Sequence, residues 1–346
     1  MPATTHTLFQ HDPHVGYTFV AGLKARVEHE GGGYLVRTNQ AGFRSVHEFD
    51  AAKPPGARRV LLFGDSYTAG DGVSNKQRYG DLLETMLPGL QVFNFGLPGT
   101  GTDQHFLVFR RLAPRLEHDL VVLALQVENI RRVNARYRLA RTADGRDLFQ
   151  PKPYVELLPS GELRWGHLPV PDRMLEEHEI PPAEREHLDR GGRAGALRGV
   201  AQIMGPRLTE QAKRMVGYQP LPEYDSADSA AWRTLAAILT AWARECPRLL
   251  IVPLPIYYYT EGISTPSYQT RLAEWQLQTG GRVADPLPEF LQHSLNERRG
   301  WRFPRDHHPT PEGHAAIARA LKPALAKALE EAASGSLGSP PNADGC

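Results

Sequence analysis

The stretch RRVLLFGDSYTAG, residues 58–70, decides the fold. Residues 58–63 read as a buried strand, and Gly64 stops it. Runs of the same kind recur at 90–95 (LQVFNF), 120–127 (LVVLALQV) and 249–254 (LLIVPL), with a short fifth at 281–284. Continuous apolar runs of this length suit parallel strands buried on both faces. Helical patterns lie between them. In residues 77–87, Tyr79, Leu82, Leu83, Met86 and Leu87 make one stripe, which Pro88-Gly89 ends. Residues 103–116 and 230–244 are further helices. Residues 311–331 carry Ile317, Leu321, Leu325 and Leu329 four apart, with Pro311 in the first turn. The order β-α-β-α-β implies right-handed crossovers and a three-layer α/β/α sandwich.

Composition narrows the rest. The chain has 346 residues, enough for one large domain or two modest ones. Hydrophobic residues at 41% and charged residues at 23% exclude a long disordered protein. A formal net charge of +1 provides no global field for nucleic acid or an anionic membrane. Two cysteines, Cys246 and Cys346, support neither a disulfide framework nor a cysteine zinc site. The first ten residues lack a secretory signal pattern, and no apolar run approaches the ~18 residues of a membrane span. The expectation is a soluble cytoplasmic protein, with its oligomeric state left open.

Residues 1–50 read as an extension packing on a core domain of residues 51–332. Residues 131–228, rich in Pro, Arg, Glu and Gly, read as an insertion after strand three, with no strong strand alternation beyond 154–158. This insertion either overhangs the active face or is a partly mobile surface excursion. The small, polar residues 333–346 read as a disordered tail.

Chemistry concentrates at strand ends. Ser66, after the first strand, can expose its hydroxyl at the mouth of the sheet, where open α/β sheets bind ligands. The same Gly, Asp, Ser and Thr residues also make ordinary turns. The G-x-S-x-G elbow is not met, because Thr68 stands at its second glycine. Asp306-His307-His308-Pro309 precedes the last helix. A serine nucleophile needs a base, and the imidazole needs a carboxylate to fix its tautomer. Asp306 and His308 fit on one loop, with His307 a rival base. A helix-entry cluster, or a metal site including His314, are the other readings, but no zinc-ligand spacing is recognisable. A glycine of the run 94–102 after strand two, and Asn129 after strand three, could add a backbone N–H and an amide to the Ser66 N–H. Together they would form an oxyanion hole.

These residues together resemble the SGNH/GDSL hydrolases. The first block matches as Gly64-Asp65-Ser66, the second as Asn94 through Gly99, the third at Asn129, and the last at Asp306 and His308, followed by Gly313-His314. Val127 and Ile130 stand where the third block usually carries Gly and Asp. The spacing of the last block is Asp-x-His. Asn39 through Arg44 resembles the N-G-F-R segment of one bacterial branch, as does PGTGTDQ at 98–104. The resemblance implies a flavodoxin-like five-stranded parallel sheet in the order 2-1-3-4-5. It also implies a Ser66-His308-Asp306 triad, an oxyanion hole of Ser66, Gly99 and Asn129, an acyl-enzyme, and no metal or organic cofactor. The expected partner is a small-molecule ester or an acylated carbohydrate with a short acyl group, without nucleic acid or a membrane span. Acyl transfer by the same triad is the alternative, and a non-catalytic binding protein a further one. Tyr257-Tyr258-Tyr259 could stack on a sugar ring. Otherwise one packs in the core and two lie at the surface.

Overall fold

The computed structural model describes residues 8–142, 145–189 and 206–335. Five parallel strands form the central sheet: β1 (Arg58–Gly64), β2 (Leu90–Gly96), β3 (Leu120–Gln126), β4 (Leu249–Leu254) and β5 (Arg282–Val283). Their spatial order is β2-β1-β3-β4-β5, the flavodoxin-like order expected from the sequence. Alternate residues along each strand enter opposite cores, which explains the unbroken apolar runs. Val60 and Leu62 of β1 face α1 (Tyr79–Met86) and the C-terminal helix Pro311–Ala333. Leu61 and Phe63 face α2 (Thr102–Leu112), α3 (Ala230–Glu245) and α4 (Tyr268–Thr279). The C-terminal helix is designated α5. In the second core Phe63 stacks on Phe95 at 4.7 Å, and Trp242 meets Phe63 edge-on at 5.5 Å.

The strand ends coincide. Gly64 of β1 is paired with Gly96 of β2 and with Ala124 of β3. The loops after all three strands therefore open on one crevice at the carboxyl edge of the sheet, where the winding reverses.

The N-terminal segment contains two hairpins absent from the sequence reading, Phe9–Asp12 with Gly16–Phe19 and Lys24–Val27 with Tyr34–Arg37. Val15, Phe19, Tyr34, Val36 and Phe43 join the core beneath α2 and α3. Asn39 and Arg44 tie this segment down. Asn39 Oδ1 accepts the N–H groups of Ala41 and Phe43. Fully buried Arg44 donates to the carbonyls of Gly70 and Val73, both at 2.8 Å. Burial and the like charge of Arg78 push Arg44 down to about 10.

The insertion carries short strands that the sequence reading did not resolve. Tyr137–Arg141, Asp147–Pro151 and Leu188–Asp189 form a three-stranded sheet, and Tyr154–Leu157 pairs with Leu163–Gly166. Short, half-exposed strands bury too few side chains to produce a clear alternation. The last helix runs to Ala333, and the tail beyond Gly335 lies outside the described residues.

Candidate active site

Ser66 follows β1 after Asp65, at the start of a single helical turn, Ser66–Ala69. The sequence reading placed the first helix about ten residues later. Asp65 caps the turn through its side chain, accepting the Tyr67 N–H at 3.0 Å. The turn lies hard against the sheet. A Cβ on Gly64 would collide with Thr68, and one on Gly96 with the Ala69 backbone. Only glycine permits that approach. Asn94 of β2 donates from Nδ2 to the Thr68 carbonyl at 2.8 Å and accepts the Gly96 N–H at 2.9 Å. The serine is thus pinned from two strands.

The last loop brings His308 to the serine. His308 Nε2 stands 2.8 Å from Ser66 Oγ, and His308 Nδ1 hydrogen-bonds to Asp306 Oδ1. The same carboxylate oxygen accepts the His308 backbone N–H at 3.1 Å. Burial favours a neutral His308. The hydrogen bond to Asp306 and the charges of Asp71, Asp306 and Asp65 outweigh it, raising His308 above its ordinary value. Burial opposes the Asp306 charge, but hydrogen bonds from His308 and His29 with the His308 charge hold its carboxyl well below the usual range.

His307, the rival base, turns away from Ser66. Its φ of 68° lies in the left-handed region, so its ring leaves the line of its neighbours. Nδ1 accepts from Arg302 at 3.0 Å, and the ring packs on Tyr257 at 4.6 Å. His314 lies in α5, fully buried, and accepts the Tyr79 N–H at 3.3 Å. Burial, with the charges of Arg78 and Arg44, pushes it down to about 3. It is a core histidine. Of the three tyrosines, Tyr259 is core, while Tyr257 and Tyr258 are half-buried and stack at 4.2 Å.

Asn129 sits in the short helical turn Val127–Arg131 after β3 and is fully buried. Its Oδ1 accepts from Arg132 at 2.7 Å, which orients the amide. The same Arg132 nitrogen donates to Asp65 Oδ2 at 3.0 Å and to the Thr100 carbonyl at 3.1 Å. Arg132 therefore joins the loops after all three strands. Asn129 Nδ2 is buried with no partner among the described residues, a costly state for a donor. Gly99 has φ of 72°, and the Arg138 guanidinium of the insertion occupies the space a Cβ would take.

A family model for the GDSL-like lipase/acylhydrolase family matches residues 62–316. The chain belongs to this family. It is a GDSL-type ester hydrolase, and the match spans every residue of the crevice except those of the N-terminal segment. No curated protein matches it. Similar solved structures include a member of the lipolytic protein G-D-S-L family from Veillonella parvula DSM 2008, at 11% identity and TM-score 0.41, covering 78% of this chain and 100% of that one. The lipase/acylhydrolase from Enterococcus faecalis shares 14% identity at TM-score 0.36, covering 77% and 96%. AlinE4, an SGNH-hydrolase family esterase, shares 14% at TM-score 0.36, covering 80% and 99%.

Further polar groups of this GDSL hydrolase border the crevice. Tyr17 donates to the Pro98 carbonyl at 2.5 Å and accepts from Arg138. Half-buried Asp71 follows the serine turn, its carboxyl raised by burial. Two clefts lie elsewhere, one beside the edge strand β5 at Leu250, Arg282 and Asp285, and one beside Lys53 and Glu117. Among the described residues no helix is long and apolar enough to cross a membrane. Sequence reasoning missed His29, Glu30 and Arg132. Arg132 was detectable, since it stands three residues after Asn129 on a helical turn. His29 and Glu30 carried no such signal, because their partners lie some 275 residues away.

Proposed function

We propose that this ester hydrolase is a serine esterase that cleaves a short-chain O-acyl ester of a polar alcohol, such as a carbohydrate, through an acyl-enzyme. Ser66 Oγ attacks the ester carbonyl as His308 Nε2 takes its proton. Asp306 fixes the His308 tautomer and stabilises the imidazolium. The N–H groups of Ser66 and Gly99 and the Asn129 amide hold the oxyanion. His308 then returns the proton to the leaving alcohol, and water attacks the acyl-enzyme by the same route. The observation that carries this reading is the hydrogen-bonded line from Ser66 through His308 to Asp306. The unpartnered Asn129 amide supports it, being a donor awaiting an acceptor. Polar groups around the serine, among them Asp71, Arg132 and Arg138, favour a polar alcohol over a long lipid chain.

The test combines a fluorophosphonate probe with a series of p-nitrophenyl esters. The probe should attach to Ser66, and kcat/KM should fall from acetate to octanoate. Ser66→Ala should lose on the order of 10⁶ in kcat. A folded Ser66→Ala enzyme keeping a tenth of the activity would overturn the reading.

A further inference from the structure

The carboxylate of Asp306 has two oxygens, and His308 uses only one. The other, Oδ2, lies 2.5 Å from Nε2 of His29, which comes from the turn between the strands of the second N-terminal hairpin. The roles in this bond follow from the other side of the ring. His29 Nδ1 accepts the Gly31 N–H at 3.2 Å, so the proton resides on Nε2 and His29 donates to the carboxylate. The next residue grips the same loop by its backbone. Glu30 accepts the N–H of Asp306 at 2.8 Å and that of Arg305 at 3.1 Å.

This contact is tightly built. The His29 side chain is 12% exposed. Its ring meets Phe303 edge-on at 4.4 Å and Tyr34 at 5.9 Å. Two glycines leave room for it. A Cβ on Gly31 would fall 2.5 Å from Phe303, and one on Gly72 would fall 2.6 Å from Phe303 and 3.0 Å from the His29 ring. Gly72 belongs to the loop that follows the serine turn, so the serine loop, the acid-base loop and the N-terminal hairpin close on one another.

We propose that His29 is a positioning residue of the active site, extending the line to Ser66-His308-Asp306-His29. It holds Asp306 through Oδ2, so that Oδ1 keeps its aim on His308 Nδ1 while the imidazolium forms. The inference rests on the triad reading. A carboxylate bonded at one oxygen only can swing about its Cβ–Cγ bond, and misplacement of a reacting group by an ångström costs on the order of 10² in rate. The N-terminal segment thus contributes directly to the working site.

Three variants test this. His29→Phe keeps a ring between Phe303 and Tyr34 but removes the N–H. His29→Gln places an N–H at nearly the reach of Nε2. His29→Ala removes both ring and donor, and replaces the Phe variant in the comparison if that one does not fold. With p-nitrophenyl acetate, His29→Phe should lose roughly ten- to a hundredfold in kcat with KM unchanged and the melting temperature retained. His29→Gln should recover most of the loss. A folded His29→Phe with kcat within threefold of wild type overturns the proposal, as does His29→Gln performing no better than the variant without a donor. Ser66→Ala is measured alongside. If it stays active, the triad reading itself fails; if it is dead while His29→Phe is unimpaired, only the role of His29 fails.

Discussion

Asn129 holds a donor that nothing among the described residues accepts. Asn129→Ala deletes that buried orphan, worth about 1–3 kcal/mol, and also deletes one of the three acceptors of Arg132, a loss of similar size. The melting temperature should therefore change little. kcat should fall by ~10²–10³, because the donor matters most once the carbonyl oxygen is charged. Measuring both on one preparation decides; activity within threefold of wild type would mean that the amide serves no oxyanion. The base makes a second prediction. His308 must be neutral to take a proton, and its surroundings raise it above 6.5. Activity should fall as the solution is acidified, and the midpoint of the acid limb of kcat/KM should lie above pH 6.5. Asp306, held far below the usual carboxylate range, stays ionised throughout. A midpoint below 6.5 would contradict this. His308→Ala should approach Ser66→Ala in severity. His307→Ala, losing an Arg302 bond and a Tyr257 contact, should retain far more activity. An inactive His307→Ala beside an active His308→Ala would reverse the assignment.

At the scale of elements, the segment from Asn39 to Arg44 couples the N-terminal hairpins to the serine loop. Arg44 satisfies the carbonyls of Gly70 and Val73 and reaches Asn75 Oδ1 at 3.2 Å. Arg44→Met keeps much of the volume but strands those acceptors, and should cost about 3 kcal/mol in denaturant unfolding. A loss under 0.5 kcal/mol would show that the serine loop holds itself. The legibility of the sequence divides along the same line. β1 to β4 were readable because each is buried on both faces, so every residue in the run is selected for apolarity. α1, α2, α3 and α5 were readable from their stripes. The two N-terminal hairpins and most strands of the insertion were not, since they are only two to five residues long, too short to set up a clear pattern, even where, as in Gly16–Phe19, every position is buried. Ser66, His308 and Asp306 stood out because they follow strands or precede a helix in a recognisable pattern. His29 did not, because a histidine beside three glycines looks like any turn until the far end of the chain is folded against it. α4 was missed because Leu272 and Trp275 bury only a narrow part of its surface.

In the whole molecule, the crevice gathers groups from both ends of the chain and from three strand ends between them. Arg132 ties the strand-end loops together, and the hairpin bearing His29 closes the far side. That closure has a consequence in time. His29 and Asp306 are 277 positions apart, and a ribosome adding about 5–20 residues per second needs roughly 15 to 55 seconds to travel between them. For most of that interval Ser66 is already synthesised, while His308, its hydrogen-bond partner 242 positions further on, has not been made. Under the proposed mechanism, synthesis order thus leaves Ser66 without its base until nearly the entire core can enclose it.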